Sequence, residues 1–533
     1  MSSLNKPWLA FYPQEVSHEV EIPSITIYDL VDRAARLYSS HIAISDGERE
    51  ITYLQVKEAC ERIASALYRR GYRKGDRIGI MVPNSIEYAL SFFAIQRLGG
   101  VVVQVNPNFQ PAELEHLLKD SDATAVIAFR EQKEKVKITG LAEQVTFIAA
   151  DREIFEEDNL HHWILHESPD LPDQDVQPEE LAVLSYTGGT TGRSKGVMIT
   201  HANMIANLYQ AYETNKSVLS QEGHCQLGIG PLYHGMGLFS FIQFVYMGAK
   251  YVPVAKFELD RILEFIRKHQ PTYFVGSPTM YIAILNHPDL QKDDLSCFKI
   301  CIGGSAPLPV EVMKNFEQKT GVPIVEGYGL SEATCIVSRN PLSGRRKAGS
   351  IGLPLPSTEI KIVDIATGTK EMPVGESGEL IIKGPQVMKG YWKNQQETER
   401  TLRDGWLFTG DIGTMDSEGY FYIVGRKKDM IITGGFNVYP VEVEEVIYQH
   451  PAVVEACVYG VPDPYRGETI KVVIVLGRQA NVTEEEIRNW CRERLTAYKV
   501  PRLIEFREAL PKTHVGKILR SKLIEEERNK QNR

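Results

Sequence analysis

The chain has no apolar run of the roughly 18 residues that a bilayer-spanning helix needs, so no such helix is expected. Its first residues, MSSLNKPWLAFYPQEVSHEV, lack the apolar core of a secretory leader. Excess positive charge is missing too: 60 Lys and Arg against 69 Asp and Glu give a formal charge of -9. That balance excludes broad binding to nucleic-acid backbones, while leaving room for a local basic pocket around a small anion. Cysteine is scarce and unpatterned. Of seven, only Cys297 and Cys301 lie close together, at a spacing that matches neither a zinc nor a redox motif. Free, mostly buried thiols and a cytoplasmic location are therefore expected. Low-complexity tracts and internal repeats are absent.

What is present is the composition of a globular enzyme, 43% hydrophobic and 24% charged. At 533 residues the chain exceeds what one core usually serves, so two or more domains are expected. The first half alternates amphipathic and apolar stretches as α/β units do. TIYDLVDRAARLYSS predicts a helix burying Leu30, Val31, Ala34 and Leu37, and IAISDGEREITYLQV a hairpin about its Asp-Gly turn. A helix over 54–70, the strand RIGIMV, a helix at SIEYALSFFAIQRLG and the strand VVVQV follow, and similar apolar strands recur to FKICIGG. From about 349 to 425 short β segments punctuated by glycine predict a β-rich subdomain. GRKKD, near 425–429, marks a boundary, after which hairpin, helix and strand patterns predict a compact α+β unit over 428–533.

Residues 185–196, SYTGGTTGRSKG, pack four glycines, several hydroxyls and two cations into a stretch with almost nothing to bury. A strand, AVLSYT, leads in, and a helix at HANMIANLYQAYE is expected to follow. Such a loop is either a surface linker or an anion nest, with phosphate the natural guest. It is not a Walker A loop, because Gly192 and Lys195 are separated and Gly196 follows the lysine; nor does it carry G-x-G-x-x-G.

The loop resembles the signature of the adenylate-forming superfamily of acyl-CoA synthetases, luciferases and adenylation domains. Further segments match that superfamily in its order: IGGSAPLP, EGYGLSEAT, GWLFTGDIG, YFYIVGRKKD and PKTHVGKILR. The spelling of GSAPLPVEV, GPQVMKGYW, GFNVYPVEVEEV and GVPDPYRGET is most similar to bacterial long-chain fatty-acid–CoA ligases. The resemblance implies a large N-terminal domain, 1–427, of two α/β sheet subdomains plus the β-rich one, and a small mobile C-terminal domain hinged at Lys428. It implies that Thr187, Gly188, Gly189, Thr190, Thr191, Gly192 and Lys195 hold ATP phosphates. Gly303, Gly304, Ser305 and Ala306 would border adenine and acyl group, and Glu326, Gly327, Tyr328 and Gly329 the adenine, with Tyr328 stacked on it. Ser331 would contact phosphate, Glu332 hold magnesium, Asp411 accept the ribose hydroxyls, and Ile423 and Arg426 lie beside them. Lys517 would bridge the substrate carboxylate and the nucleotide, making it, with Glu332, Thr187 and His234, the catalytic set. Gly434, Gly435, Phe436 and Lys499 would line a coenzyme A tunnel, with Arg502, Lys512 and Arg520 adding positive charge. Taken singly, Tyr328 reads equally as a core aromatic, Asp411 as a turn former and Lys517 as a solvated lysine.

The chemistry needs those parts together. A carboxylate attacks the α-phosphate of ATP, diphosphate leaves, and the acyl-adenylate is then taken by a thiol. An anion must approach a polyanion: at ~4 Å, two unit charges repel by about 4 kcal/mol at an effective dielectric near 20. Fixed cations and donors remove that barrier, so positioning and neutralisation do most of the work. The thiol then needs the place that Lys517 held, which the superfamily frees by rotating the small domain.

The acid is read from PLYHGMGLFSFIQFVYMGA, 231–249, aromatic-rich and without a cation placed to answer a second carboxylate or an amine. Its aromatics fit a helix core as well as a pocket. By resemblance Tyr233, His234, Phe239 and Gly304 border the acyl pocket, with His234 gating it. A medium- or long-chain fatty acid is expected, each buried methylene contributing roughly 0.8 kcal/mol. Coenzyme A is the expected acceptor. An aryl-acid–CoA ligase, a ligase loading a carrier protein and an ATP-binding module without catalysis are the alternatives. Dimers are common among similar proteins, and the run RNPLSGRRK reads as a solvated loop or a membrane-surface contact.

Overall fold

The computed structural model describes residues 6–153, 156–187, 194–219, 223–291, 293–304, 308, 310–477, 480, 482–513 and 517–531. Among them two large sheets dominate. One has nine strands, running from Leu353–Pro354 through Ser338–Arg339, Ile324–Tyr328, Ile300–Gly303 and Tyr273–Gly276 to Cys225–Gly228, Lys250–Pro253, Ile42–Ser45 and Glu50–Thr52. Its centre is parallel, and these strands are apolar on both faces because helices cover both. The other has seven, ordered Gly390–Tyr391, Lys195–Thr200, Leu181–Thr187, Val101–Gln104, Arg77–Met81, Ala123–Ala128 and Thr146–Ala149.

A shared core joins the two sheets, built from the helices Ile27–Leu37, Tyr53–Arg69, Ile86–Leu98, His201–Leu219 and Gly235–Tyr246. The helix Ile86–Leu98 has almost no polar face because it is buried nearly all round. It stops at Gly99, whose φ of +74° suits a residue without a side chain. The helix Ile27–Leu37 begins at a capping box, Thr26 with Asp29, and buries Leu30, Val31 and Ala34. Leu37, expected on that face, is 55% exposed, because the helix ends there and its last turn leaves the core.

Two expectations are corrected. The glycine loop does not run from strand to helix: the strand Lys195–Thr200 intervenes, antiparallel to Leu181–Thr187, and only then comes the helix His201–Leu219. The β-rich segment is also stitched into its neighbours. Leu353–Pro354 closes the nine-stranded sheet and Gly390–Tyr391 the seven-stranded one. What stands as its own sheet is Glu359–Val363, Gly378–Lys383, Leu402–Arg403, Trp406–Met415 and Phe421–Arg426.

After the turn at Lys427–Asp429 a further sheet forms around the long antiparallel pair Val453–Asp463 and Gly467–Leu476. The helices Pro440–Tyr448 and Glu484–Arg492 close one face over Val443, Ile447, Val472 and Ile487. Cys457, Tyr459 and Leu523 fill the other. No helix among the described residues is long and apolar enough to cross a membrane. The cysteines are free, five of them buried. Arg345, Arg346 and Lys347 each meet a carboxylate, of Glu418, Glu317 and Asp416 respectively, so the end of the run RNPLSGRRK is charge-compensated.

Candidate active site

The carboxyl ends of the parallel strands Tyr273–Gly276, Ile300–Gly303 and Ile324–Tyr328 lie side by side, with Gly276, Gly303 and Glu326 in register. Open α/β sheets bind ligands at such ends. Small residues are required here by crowding. A Cβ at Gly329 would fall 1.6 Å from the Cys335 carbonyl oxygen, and one at Gly303 2.9 Å from Leu308.

Tyr328 ends its strand by reaching across to the five-stranded sheet. Its hydroxyl donates to Oδ2 of Asp411 at 2.6 Å. Arg426, the cross-strand partner of Asp411, places Nε 2.9 Å from Oδ1. Asp411 is only 4% exposed, and a carboxylate so buried needs such partners. Burial, then the Asp411 charge, pushes the Tyr328 hydroxyl well above the usual phenol range. Ile423 lies on the same strand as Arg426, opposite Gly413.

Lys517 comes to this cluster from the loop just before the C-terminal helix Arg520–Gln531. Its backbone N–H donates to the Thr513 hydroxyl and its carbonyl accepts from the Thr513 N–H, closing a tight loop. The side chain keeps solvent contact although protein surrounds it on most sides, as in a concavity. That crowding lowers its pKa first, and the Arg426 charge lowers it further, while Asp411 opposes. Lys428, exposed in the turn linking the two sheets, is lowered by burial and by Arg426.

A second cluster forms at the mouth of the glycine loop. Thr187 and Lys195 are the last ladder pair of their hairpin, so the loop springs from two fixed stems. Lys195 Nζ lies 2.6 Å from Oε1 of Glu397 and 5.4 Å from the Tyr391 ring centre. Tyr391 donates its hydroxyl to Oε1 of Glu332 at 2.9 Å, leaving the second carboxylate oxygen without that bond. Glu332 sits on the short 3-10 helix Ser331–Ala333, anchored where its carbonyl accepts from the Met388 N–H. Glu326 accepts from the Gly349 N–H at 3.0 Å, and burial pushes its pKa up to about 7.

The structure thus brings Tyr328, Asp411, Arg426 and Lys517 together, and Lys195 and Glu332 to one shared aromatic, Tyr391, with Thr187 paired to Lys195. Gly188, Gly189, Thr190, Thr191, Gly192, Ser305 and Ala306 lie outside the described residues. His234 caps the helix Gly235–Tyr246, its ring 5.0 Å from Tyr233. Gly304 faces that helix, a Cβ there meeting Met236 Sδ at 3.3 Å. Phe239 is buried in the shared core, against which Tyr233 also packs. Gly434 and Gly435 form a two-residue hairpin turn with φ of +59° and +83°, and Phe436 beside them stacks on Tyr498 at 4.5 Å. Lys499, Lys512 and Arg520 are held by Glu442, Glu455 and, for the arginine, Asp429 with Glu444. Tyr391 and Glu397 are not legible in the sequence, although Tyr391 lies within GPQVMKGYW. Nothing local marks a tyrosine as the partner of a glutamate on a distant 3-10 turn.

Comparison with known proteins agrees with this arrangement. Residues 31–392 match the AMP-binding enzyme family and 442–517 its C-terminal domain, and the chain belongs to that family. It is 41% identical to a long-chain-fatty-acid–CoA ligase of Bacillus subtilis (strain 168), over 98% of both chains. It is 37% identical to a protein of the same name from Escherichia coli O6:H1, over 99% of both. Among solved structures, ATP-bound MatB from Rhodopseudomonas palustris superposes with a TM-score of 0.87 at 30% identity, over 94% of this chain and 99% of that one.

Proposed function

We propose that the protein is an AMP-forming acid–CoA ligase that activates a medium- or long-chain fatty acid as its adenylate and transfers the acyl group to coenzyme A. The observation that carries this is the convergence of Tyr328, Asp411, Arg426 and Lys517, drawn from two sheets and a C-terminal loop around one carboxylate. It is supported by full-length similarity to long-chain-fatty-acid–CoA ligases.

Asp411, preset by Tyr328 and Arg426, orients ATP by accepting its ribose hydroxyls. Thr187 and Lys195 hold the phosphate end from the hairpin stems. Lys195 exchanges Glu397 for phosphate, a trade of one charge-assisted bond for another. Lys517 meets the fatty carboxylate and steadies the charge that grows as its oxygen bonds to the α-phosphorus and diphosphate departs. A carboxylate with one oxygen committed and one left suits a hard cation, so Glu332 fits magnesium, which when bound would neutralise phosphate charge.

The second half-reaction requires Lys517 to leave. The turn at Lys427–Asp429 is the short link through which the C-terminal unit would rotate, with Lys428 the hinge. Gly434, Gly435 and Phe436 would then face the site and admit the pantetheine arm, the thiol sulfur attacking the acyl carbon as AMP leaves. A cytoplasmic location is part of this proposal. An acid panel tests it: diphosphate release with palmitate and octanoate should exceed that with benzoate and coumarate. The reverse order would assign the protein to aryl acids.

A further inference from the structure

Gly304 opens onto Met236, and Met236 packs against a satellite core of Leu219, Phe244, Tyr273 and Val275. This is where a chain running inward from the reacting carboxylate would go. An alkyl pocket should end in apolar groups, yet three buried polar side chains border this core without their full complement of partners.

Arg339 is the first. It pairs across the strands with Gly327, and a Cβ on Gly327 would lie 3.7 Å from the Arg339 Cβ, so the two share a face. It is 4% exposed, with the Tyr273 hydroxyl within hydrogen-bonding reach and Cys335 close by, and no carboxylate is among its electrostatic neighbours. Nη2 donates to the Ala211 carbonyl at 3.2 Å and to the Thr214 hydroxyl, but Nε has no partner. Asn215 shares the helical face of Ala211, is wholly buried, and has no partner for either amide atom. Gln243 stands between Met236 and Met247 on the opposing helix, 1% exposed, with Nε2 unpaired. A buried guanidinium with an unpaired N–H, on a core that two helices carrying unpaired amides also border, is an arrangement that seeks an oxygen acceptor.

We propose that Arg339, Asn215 and Gln243 form a polar terminus to the acyl pocket, selecting acids that carry a second oxygenated group, carboxylate or hydroxyl, away from the reacting end. This rests on the fatty-acid–CoA ligase reading and narrows its substrate class. Sequence inspection expected no cation to answer a second carboxylate; the fold supplies one from a strand far along the chain.

The test is kcat/KM for AMP release by the full chain with magnesium, ATP and CoA. Unsubstituted acids from octanoate to palmitate are compared with their ω-hydroxy and α,ω-dicarboxylic counterparts. At one or more chain lengths an oxygenated acid should exceed its plain counterpart about tenfold or more, since a site built for hydrogen bonds rejects analogues that lack them. Arg339→Met should cut that ratio at least about tenfold, and Arg339→Lys should restore part of it for the dicarboxylate. A preference for the dicarboxylate over the hydroxy acid identifies a carboxylate as the ligand, and the reverse identifies a hydroxyl. If Arg339→Met fails to fold, Asn215→Leu and Gln243→Leu must lower the same ratio. Plain fatty acids preferred at every length, or a ratio indifferent to all the variants, overturns the proposal while leaving the ligase reading intact. No AMP from any acid takes both down.

Discussion

The Tyr328 hydroxyl and the Asp411 carboxylate meet at 2.6 Å across the junction of two sheets, and Arg426 grips the other oxygen of the same carboxylate. Each partner comes from a different stretch of chain, and each would be an ordinary residue without the others. In the proposed reading, their meeting sets the ribose-binding carboxylate in place before any nucleotide arrives.

Removing the Tyr328 hydroxyl should therefore loosen ATP more than it slows chemistry. A hydrogen bond to a charged group is worth about 1.5–3 kcal/mol, so Tyr328→Phe should raise KM for ATP about tenfold or more with a smaller change in kcat. Steady-state kinetics at saturating fatty acid measure this. An unaltered KM would show that the pair serves packing alone.

Lys517→Ala should separate the half-reactions. Adenylate formation should fall by about 10²–10³-fold, the scale of losing one charge-stabilising group, while thioester formation from supplied acyl-adenylate persists. In the wild type the charged ammonium is the working form and its pKa is lowered. Adenylation should accordingly decline on an alkaline limb below the ordinary lysine value of about 10.4, and Lys517→Arg should remove that limb. A limb that survives Lys517→Arg belongs to another group.

Glu326 predicts a pH effect on stability. Its folded pKa of about 7 stands above the unfolded value. Below about pH 4 both states are protonated and there is no penalty. As pH rises toward 7 the unfolded chain ionises first, so stability falls through that window and levels off above it. Glu326→Gln should cancel the loss, and by pH 8 the variant should be more stable than the wild type by an amount on the order of 1–3 kcal/mol, seen as a higher melting temperature. Parallel melting curves for the two proteins from pH 4 to 8 would contradict the assignment.

Much of the fold was legible because its strands and helices announce themselves by period: RIGIMV, VVVQV and the helix at SIEYALSFFAIQRLG fall where their patterning put them. The site was legible for a different reason, namely spelling, since Tyr328, Asp411 and Lys517 carry no local sign of their roles. What sequence reasoning missed was non-local. Lys195–Thr200 is too short and too mixed to separate from the helix that follows, so the hairpin went unseen. Tyr391 and Glu397 gain their roles only because Gly390–Tyr391 pairs with Met198 and Val197 on that unseen strand. Arg339 reads as a surface cation in SRNPLSGRRK and is in fact buried between a helix and two strands.

Gly329→Ala tests the crowding at the nucleotide segment. A Cβ 1.6 Å from the Cys335 carbonyl cannot be accommodated without moving backbone, so the variant should lose several kcal/mol of stability, on the order of 3 or more, or fail to fold. Gly434→Ala meets nothing within 4 Å and strains only a positive φ, so it should cost about 1 kcal/mol. Chemical denaturation compares the two. Equal costs would mean that the tight approach at Gly329 relaxes freely.

The central claim is that a fatty carboxylate attacks the α-phosphorus of ATP in this site. Mixing the purified protein with magnesium, ATP carrying a labelled α-phosphate, palmitate and CoA tests it directly. The account predicts labelled AMP, diphosphate and palmitoyl-CoA in equal amounts, and labelled palmitoyl-adenylate when CoA is withheld. Label recovered as ADP, or no acid-dependent AMP at all, would contradict it.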